Sequence, residues 1–400
     1  MKAMILAAGR GTRVRPLTET LPKPMIPIIH KPVMEMLVDH LRKHGFHQIM
    51  VNTSYLAPQI EGYFRDGHHF GTSMAYSFEG TIENGQMIDR PVGSAGALQK
   101  IQRHSGFFDD DFVVVCGDAV IDLDLTEMLA FHRAKQSIAT VALKKVPTKD
   151  LVNYGVAVLD DSKRILKFQE KPAAGTELSD LANTGIYIFS PEIFGWIPRE
   201  AVYDIGGQLL PVLAAVGARI HGIELPFNWF DIGRLNDYYQ VVMQAMRGEA
   251  PPYNLPGERI RPDLWVGLNV RANFDRVKIS GPVFIGGSAS IGDGCEITGP
   301  AMIGVNACIE AGAQINASVI LDHTRVSGFA SYHRKVVGPN FCFDPEGTVL
   351  DGRNTDTNWL FSDARSPEIF LNEDQRSIMA HNTRAAASRS GRENAAAAAE

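Results

Sequence analysis

Apolar and polar positions change rhythm twice along the chain. Met4 to Ala8 is a short apolar run, read as a buried strand, and it ends in Gly9-Arg10-Gly11-Thr12-Arg13 and a proline-punctuated loop through Lys23-Pro24. Val33, Met36, Leu37 and Leu41 share one helical face over residues 32–44, and Gly45 is placed to stop that helix. The spacing then predicts a strand over 46–53, a helix over 57–65, a strand over 73–78, a helix over 96–103, a strand over 112–115 and a helix over 126–135. Strand–helix alternation of this kind gives a mostly parallel sheet with ligands at the carboxyl ends of its strands. From Ser137 strands dominate, over 138–146, 155–159, 165–169 and 185–189. The turn Asp160-Asp161-Ser162-Lys163 makes two of them a hairpin and the sheet mixed. A helix follows over 234–247.

The second change of rhythm comes after the turn-rich Pro251–Gly257 stretch. Ile279, Ile285, Ile291, Ile297, Ile303, Ile309, Ile315 and Leu321 recur every six residues. This is neither a 3.6-residue period nor an alternation of two, and it is the hexapeptide rhythm of a parallel β-helix, whose coils bury a stacked aliphatic at each turn. From Val336 the pattern dissolves, and 383–400 is low-complexity, expected to be disordered or frayed helix. The expected organisation is an α/β domain at 1–248, a linker at 249–262, a β-helix at 263–345 and a C-terminal extension at 346–400.

A chain of 400 residues, 45% of them hydrophobic, is ample for two cores. The net charge of −6 argues against a nucleic-acid coat or a membrane-surface patch as the main role, so cationic residues must be concentrated locally. No run of eighteen apolar residues appears. Cys116, Cys295, Cys308 and Cys342 show neither metal-site spacing nor disulfide density. With an N-terminus that enters a strand directly, they lead to the expectation of a cytoplasmic protein.

The chemistry begins at the first strand end. Gly-x-Gly there leaves backbone N–H groups little obstructed, and Arg10, Arg13, Arg15 and Lys23 make the turn a cationic anion cradle suited to polyphosphate. It has neither the GK[ST] ending of a P-loop nor the third glycine of a dinucleotide fingerprint. At the end of the apolar run 112–116, Gly117-Asp118 would push a carboxylate into the crevice. Gly93-Ser94-Ala95-Gly96-Ala97-Leu98 is a second glycine-rich turn opening a helix. Glu170-Lys171 ends a hairpin strand, and Asp231 follows an aromatic pair. Each also has a plain reading: a tight turn, a helix cap, or a solvated ion pair worth little.

The string Gly9-x-Gly11-Thr12-Arg13-x-x-Pro16-Leu17-Thr18, followed by Pro22-Lys23-Pro24-Met25, resembles the N-terminal signature of the sugar-1-phosphate nucleotidylyltransferases. The resemblance implies a Rossmann-like nucleotidyltransferase domain followed by a left-handed hexapeptide β-helix. It further implies that Ala7, Ala8, Gly9, Gly11, Thr12, Arg13, Glu79 and Gly96 contact the nucleotide, with Arg13 and Lys23 catalytic. By the same resemblance, Gly155, Glu170, Lys171 and Asn183 hold the sugar phosphate, and Asp118 and Asp231 hold Mg²⁺. Ser94 departs from the family's threonine. Within the family the chain is similar to a cyanobacterial branch associated with UDP-glucose formation. UTP and glucose-1-phosphate are therefore the implied substrates, with GTP and mannose-1-phosphate second and a non-catalytic sugar-nucleotide sensor third. Hexapeptide helices also build acyltransferase sites around a histidine, but oligomerisation or lid-like packing against the first domain is the expected role here, with His323 and His333 read as surface or turn residues. A homo-oligomer that binds neither nucleic acid nor membrane is expected.

Overall fold

The apolar run after Met1 becomes the strand Lys2–Leu6 (β1), with a parallel neighbour on each side. In this computed structural model, which describes residues 1–353 and 359–366, the sheet continues with Gln48–Thr53 (β2), Ser73–Phe78 (β3), Phe112–Cys116 (β4) and Ala139–Lys145 (β5). Gly155–Leu159 (β6), Ile165–Glu170 (β7), Leu181–Phe189 (β8) and Ile220–Glu224 (β9) complete it. The order is β7-β6-β8-β4-β1-β2-β3, with β5 pairing β8 and β9. β4, β1, β2 and β3 run parallel, while the β6/β7 hairpin and β8 are antiparallel insertions. Val33–Lys43 (α1), Ala57–Phe64 (α2), Ser94–Ser105 (α3) and Leu125–Ala134 (α4) connect the strands.

Near-continuous apolar strands are explained by burial of both faces. Ala3, Ile5, Val113 and Val115 join one core with Met34, Leu37 and Leu41, whereas Met4, Phe112 and Val114 join another with Leu98 and Ile101. Leu6 is in register with Asn52 on one side and Cys116 on the other. The segments starting at Ala7 and Gly117 therefore leave the sheet side by side. The stretch after β3 is a hairpin of Gly80–Glu83 against Gln86–Asp89. β9 and a short helix, Leu210–Ala215 (α5), are elements that the apolar spacing did not predict.

The chain divides into two compact units, one of residues 1–27 and 31–233, the other of 28–30 and the chain from Arg234 on. The helix Leu235–Arg247 (α6) groups with the second unit, where the Tyr239 hydroxyl donates to the Ala317 carbonyl at 2.7 Å.

The second unit is a parallel β-helix. Short strands stack into three sheets, Val283 facing Ala301, Ile291 facing Ile309 and Ile297 facing Ile315, so one coil takes eighteen residues, three hexapeptides. The six-residue series holds through Ile315, which is buried, but the next coil is one residue short. Ile303 faces Ile320, so Ile320 is buried and Leu321 is not. The regular strand pattern also continues beyond Val336. Phe341–Phe343 and Val349–Asp351 add antiparallel strands to one sheet, and Phe361–Asp363 closes another against Thr324–Val326. Antiparallel closure covers the open edge of a stack. The low-complexity stretch 383–400 lies outside the described residues.

Candidate active site

At the carboxyl edge of β1, Ala7 donates its N–H to Asn52 Oδ1 at 2.8 Å. Ala8 then leads into the glycine turn. Gly11 has φ +63°, and its carbonyl accepts from Thr18 Oγ1 at 2.8 Å. A Cβ there would meet Thr18 Cγ2 at 2.9 Å and Lys23 Cβ at 3.1 Å, whereas a Cβ on Gly9 would have nothing within 4 Å. The turn is thus packed shut toward Lys23 and open at Gly9, leaving backbone that a polyanion can approach. Thr12 and Arg13 are exposed beside it. Arg10 turns away and is held by Asp89 at 3.1 Å.

Asp118 and Asp231 are 113 positions apart (231 − 118). Ala119–Ile121 pairs antiparallel with Trp229–Asp231, Asp231 lies opposite Ala119, and Ile232 donates its N–H to the Asp118 carbonyl at 3.3 Å. This two-stranded ribbon closes the gap. The Lys23 ammonium donates to Asp118 Oδ2 and lies 3.8 Å from Asp231 Oδ1. Burial works against the charged ammonium, yet the two carboxylates outweigh it and raise its pKa above the ordinary lysine value. The Cys116 thiol beside them is pushed far up, first by burial and then by Asp118 and Asp231.

Among the described residues no cluster of three or more His, Cys, Asp or Glu side chains is arranged to hold a metal ion. Two converging carboxylates that draw an ammonium between them nevertheless fit a hard divalent cation, whose remaining ligands can be phosphate oxygens and water.

On the sugar side, Gly155 is paired with Glu170 across the β6/β7 hairpin. A Cβ on Gly155 or Gly206 would stand 2.8 or 2.7 Å from Glu170 Oε2, so the two glycines make room for that carboxylate. Asn183 donates Nδ2–H to the Tyr187 hydroxyl at 2.8 Å and accepts the Gly185 N–H at 3.0 Å. Arg13, Lys23, Asp118, Gly155, Glu170, Asn183 and Asp231 all line one cleft of about 250 Å³.

Lys171, Gly96 and Glu79 stand apart from both the cleft lining and the glycine turn. Lys171 has φ +44° and a side chain 61% exposed, with its ammonium 3.3 Å from Glu170 Oε1, so it does not line the cleft. Gly96 is buried in the first turn of α3 and donates its N–H to the Tyr203 carbonyl at 2.9 Å. Glu79 is 2% exposed. Its carboxylate accepts from Asn52 Nδ2 at 2.5 Å and from the Val92 N–H at 3.2 Å, so it supports Asn52 and through it Ala7. Burial raises the Glu79 pKa against these two hydrogen bonds.

Asp204 and Tyr187 also line the cleft although the sequence pattern did not mark them, and Ser94, from the glycine-rich turn that opens α3, joins them. Ser94 Oγ donates to Asp204 Oδ2 at 2.9 Å and accepts the Ile205 N–H at 2.8 Å, while Asp204 Oδ1 accepts from Gly206 and Gly207, each at 2.9 Å. An aspartate ahead of Gly206-Gly207 was a visible helix-cap signal.

Residues 2–248 match the family model described as nucleotidyl transferase. The chain belongs to that family. A UTP–glucose-1-phosphate uridylyltransferase of Synechocystis is 49% identical over 92% of this chain and 95% of its own length. The mannose-1-phosphate guanylyltransferase catalytic subunit beta of Danio rerio is 33% identical over 63% of this chain and 67% of its own length. A crystal structure of a Bacillus anthracis protein assigned as a glucose-1-phosphate thymidylyltransferase, in complex with sucrose, matches with a TM-score of 0.50. The two are 25% identical, and the match covers 58% of this chain and 90% of that one. The protein is a sugar-1-phosphate nucleotidyltransferase, a family whose members typically use a divalent cation and whose substrates are a nucleoside triphosphate and a sugar-1-phosphate. No helix among the described residues is long and apolar enough to cross a membrane.

Proposed function

We propose that the protein transfers a uridylyl group from UTP to glucose-1-phosphate, forming UDP-glucose and pyrophosphate, with Mg²⁺ as the divalent cation. The observation that carries the chemistry is the convergence of Asp118 and Asp231 on the Lys23 ammonium beside the glycine turn. The choice of substrates rests on the uridylyltransferase relative, whose match runs nearly the whole length of both chains. The second reading, GTP with mannose-1-phosphate, rests on guanylyltransferase relatives at 33% and 30% identity.

The chain's own groups divide the work. The Ala7–Thr12 backbone and Arg13 hold the triphosphate, and Lys23 neutralises charge growing at the α-phosphate during in-line attack by the sugar phosphate oxygen. Asp118 and Asp231 would hold Mg²⁺, which when bound neutralises phosphate charge and orients the leaving pyrophosphate. Glu170, Asn183 and the Gly155 backbone bind sugar hydroxyls. Lys171 reaches the sugar phosphate from the rim by turning off Glu170. A phosphate nucleophile is already ionised at neutral pH, so no general base is required. Glu79 and Gly96 act behind the nucleotide, fixing Asn52 and the start of α3. The β-helix makes a homo-oligomer, and free thiols at all four cysteines suit a reducing cytoplasm.

A pyrophosphate-release assay over four nucleoside triphosphates, each with glucose-1-phosphate or mannose-1-phosphate, tests the reading. UTP with glucose-1-phosphate is expected to give the highest kcat/KM. Preference for GTP with mannose-1-phosphate would establish the second reading, and no release from any pair would leave a sugar-nucleotide sensor.

A further inference from the structure

A second cleft lies at the opposite end of β4 from Asp118. Its walls come from the amino-terminal approaches to three strands and from the exit of a fourth: Asp111 before β4, Ser137 before β5, Arg219 before β9 and Ser190 after β8. Counting along the strand at about 3.3 Å per residue, the seven steps from Asp111 to Asp118 put the two clefts on the order of 20 Å apart. With a volume of about 420 Å³, the second cleft has room for a small metabolite.

Two polar atoms in its wall are buried without a hydrogen-bond partner, His132 Nε2 and Ser190 Oγ. Folded proteins keep few such orphans, and a pair in one cleft calls for an explanation. The His132 side chain is 2% exposed, and its other ring nitrogen is 2.8 Å from Thr140 Oγ1. When the threonine hydroxyl donates to Nδ1, the ring presents an Nε2–H donor, 3.6 Å from Asp111 Oδ1. Burial lowers the pKa of this imidazole, against the pull of Asp111 at 3.6 Å, so the ring is neutral at neutral pH.

Two half-exposed guanidinium groups flank the orphans. Arg133 Nε donates to Asp111 Oδ2 at 2.9 Å, and Arg219 donates to the Gln136 carbonyl at 2.9 Å and to Glu192 Oε2 at 3.1 Å. A guanidinium has five N–H donors in a planar fork, so Arg133, whose terminal nitrogen also lies 3.5 Å from Asp110 Oδ2, and Arg219 each keep N–H groups for a further acceptor. Two forks, a hydroxyl and a ring N–H around one space form a donor-rich set. The acceptor that answers it is a phosphoryl group, with three or more oxygens that can take several donors at once. The carboxylates of Asp111 and Glu192 hold the arginines in the free protein and would accept hydroxyls of an esterified ligand.

We propose that this cleft is a second ligand site, separate from the nucleotidyltransferase centre, which binds a compact phosphoryl-bearing molecule through Arg133, Arg219, His132 and Ser190. The test follows the histidine ring signals of the ¹⁵N-histidine-labelled full-length protein while inorganic phosphate, and separately glycerol 3-phosphate, is added. His132→Gln assigns the His132 signals. They are expected to shift saturably with one or both ligands. In Arg219→Ala/Ser190→Ala the midpoint should rise at least tenfold, while pyrophosphate release without added ligand stays at the wild-type rate and reports that the variant is folded. His132 signals that stay still with both ligands, or that move with the same midpoint in the double variant, would overturn the proposal. Tighter binding of the ester than of phosphate identifies an organic phosphate as the ligand, and the reverse identifies the free ion.

Discussion

Replacing Lys23 with methionine separates two roles that the structure gives one ammonium. In the metal-free protein it is the cation between Asp118 and Asp231, with side chains 11%, 25% and 28% exposed. At an effective dielectric of about 20, charges roughly 4 Å apart attract by about 4 kcal/mol before desolvation. Removing one partner of a fully buried pair costs about 3–5 kcal/mol. Solvent reaches all three groups, so about 2 kcal/mol is the expected loss, or roughly 4–8 °C in the first unfolding transition for a unit of this size. Methionine fills similar volume, so the loss is electrostatic. A divalent cation should then restore more stability to Lys23→Met than to wild type, since a ligand at a hundred times its Kd adds about 2.7 kcal/mol. Because the folded-state pKa of Lys23 is raised, its stabilisation is complete below the ordinary lysine pKa and disappears as pH rises through the higher folded value. The gap between variant and wild type should therefore narrow in strong alkali. The assay is calorimetry in EDTA and in Mg²⁺, paired with kcat from pyrophosphate release, which should fall by about 10²–10³ as for loss of one preorganised donor. Equal melting in EDTA, an equal response to Mg²⁺, or a kcat within tenfold of wild type would refute the arrangement.

Lys171→Ala should raise the KM for glucose-1-phosphate about tenfold or more and leave that for UTP unchanged, since an exposed ion pair with Glu170 contributes little to folding. Steady-state kinetics with each substrate varied in turn decides it, and parallel changes in both constants would remove Lys171 from the sugar side. Asp118→Asn should lower kcat by about 10²–10⁴ in Mg²⁺ with circular dichroism unchanged. His40, His132 and His221 all have pKa values lowered chiefly by burial, so the folded state favours their neutral form. Stability should be full above the ordinary histidine pKa and fall as pH drops below it toward the folded values. Denaturant midpoints at pH 7.5 and 5.5 check the direction, and a higher midpoint at pH 5.5 would contradict it.

Features set by a few adjacent residues were legible in the sequence. The glycine turn, the strand ending at Cys116 and the hexapeptide period follow from local sterics and apolar spacing, and the structure places β1, β4 and the stacked isoleucines accordingly. The direction in which a side chain leaves its strand end was not legible. Glu79 faces inward because the Gly80–Asp89 hairpin returns the chain over it, and Val92 supplies a second hydrogen bond from beyond that hairpin. Lys171 faces outward because a left-handed backbone follows Glu170. The shift from Leu321 to Ile320 depends on one residue missing from a coil, and an aliphatic neighbour at either position hides it. The pairing of Ser94 with Asp204 joins positions 110 apart and needed the closed fold.

Three paired residues on each side of the Ala119–Ile121 and Trp229–Asp231 ribbon fix where both acids stand, independently of what the intervening chain does. The β6/β7 hairpin and the loop around Asp204 lie outside the ribbon, so changes of length there leave its pairing intact, whereas β8 pairs directly with β4, which leads to Asp118. A one-residue slip within the ribbon would turn Asp231 to the opposite face. In this molecule the freedom to change substrate and the constraint on chemistry belong to different stretches of the same polypeptide.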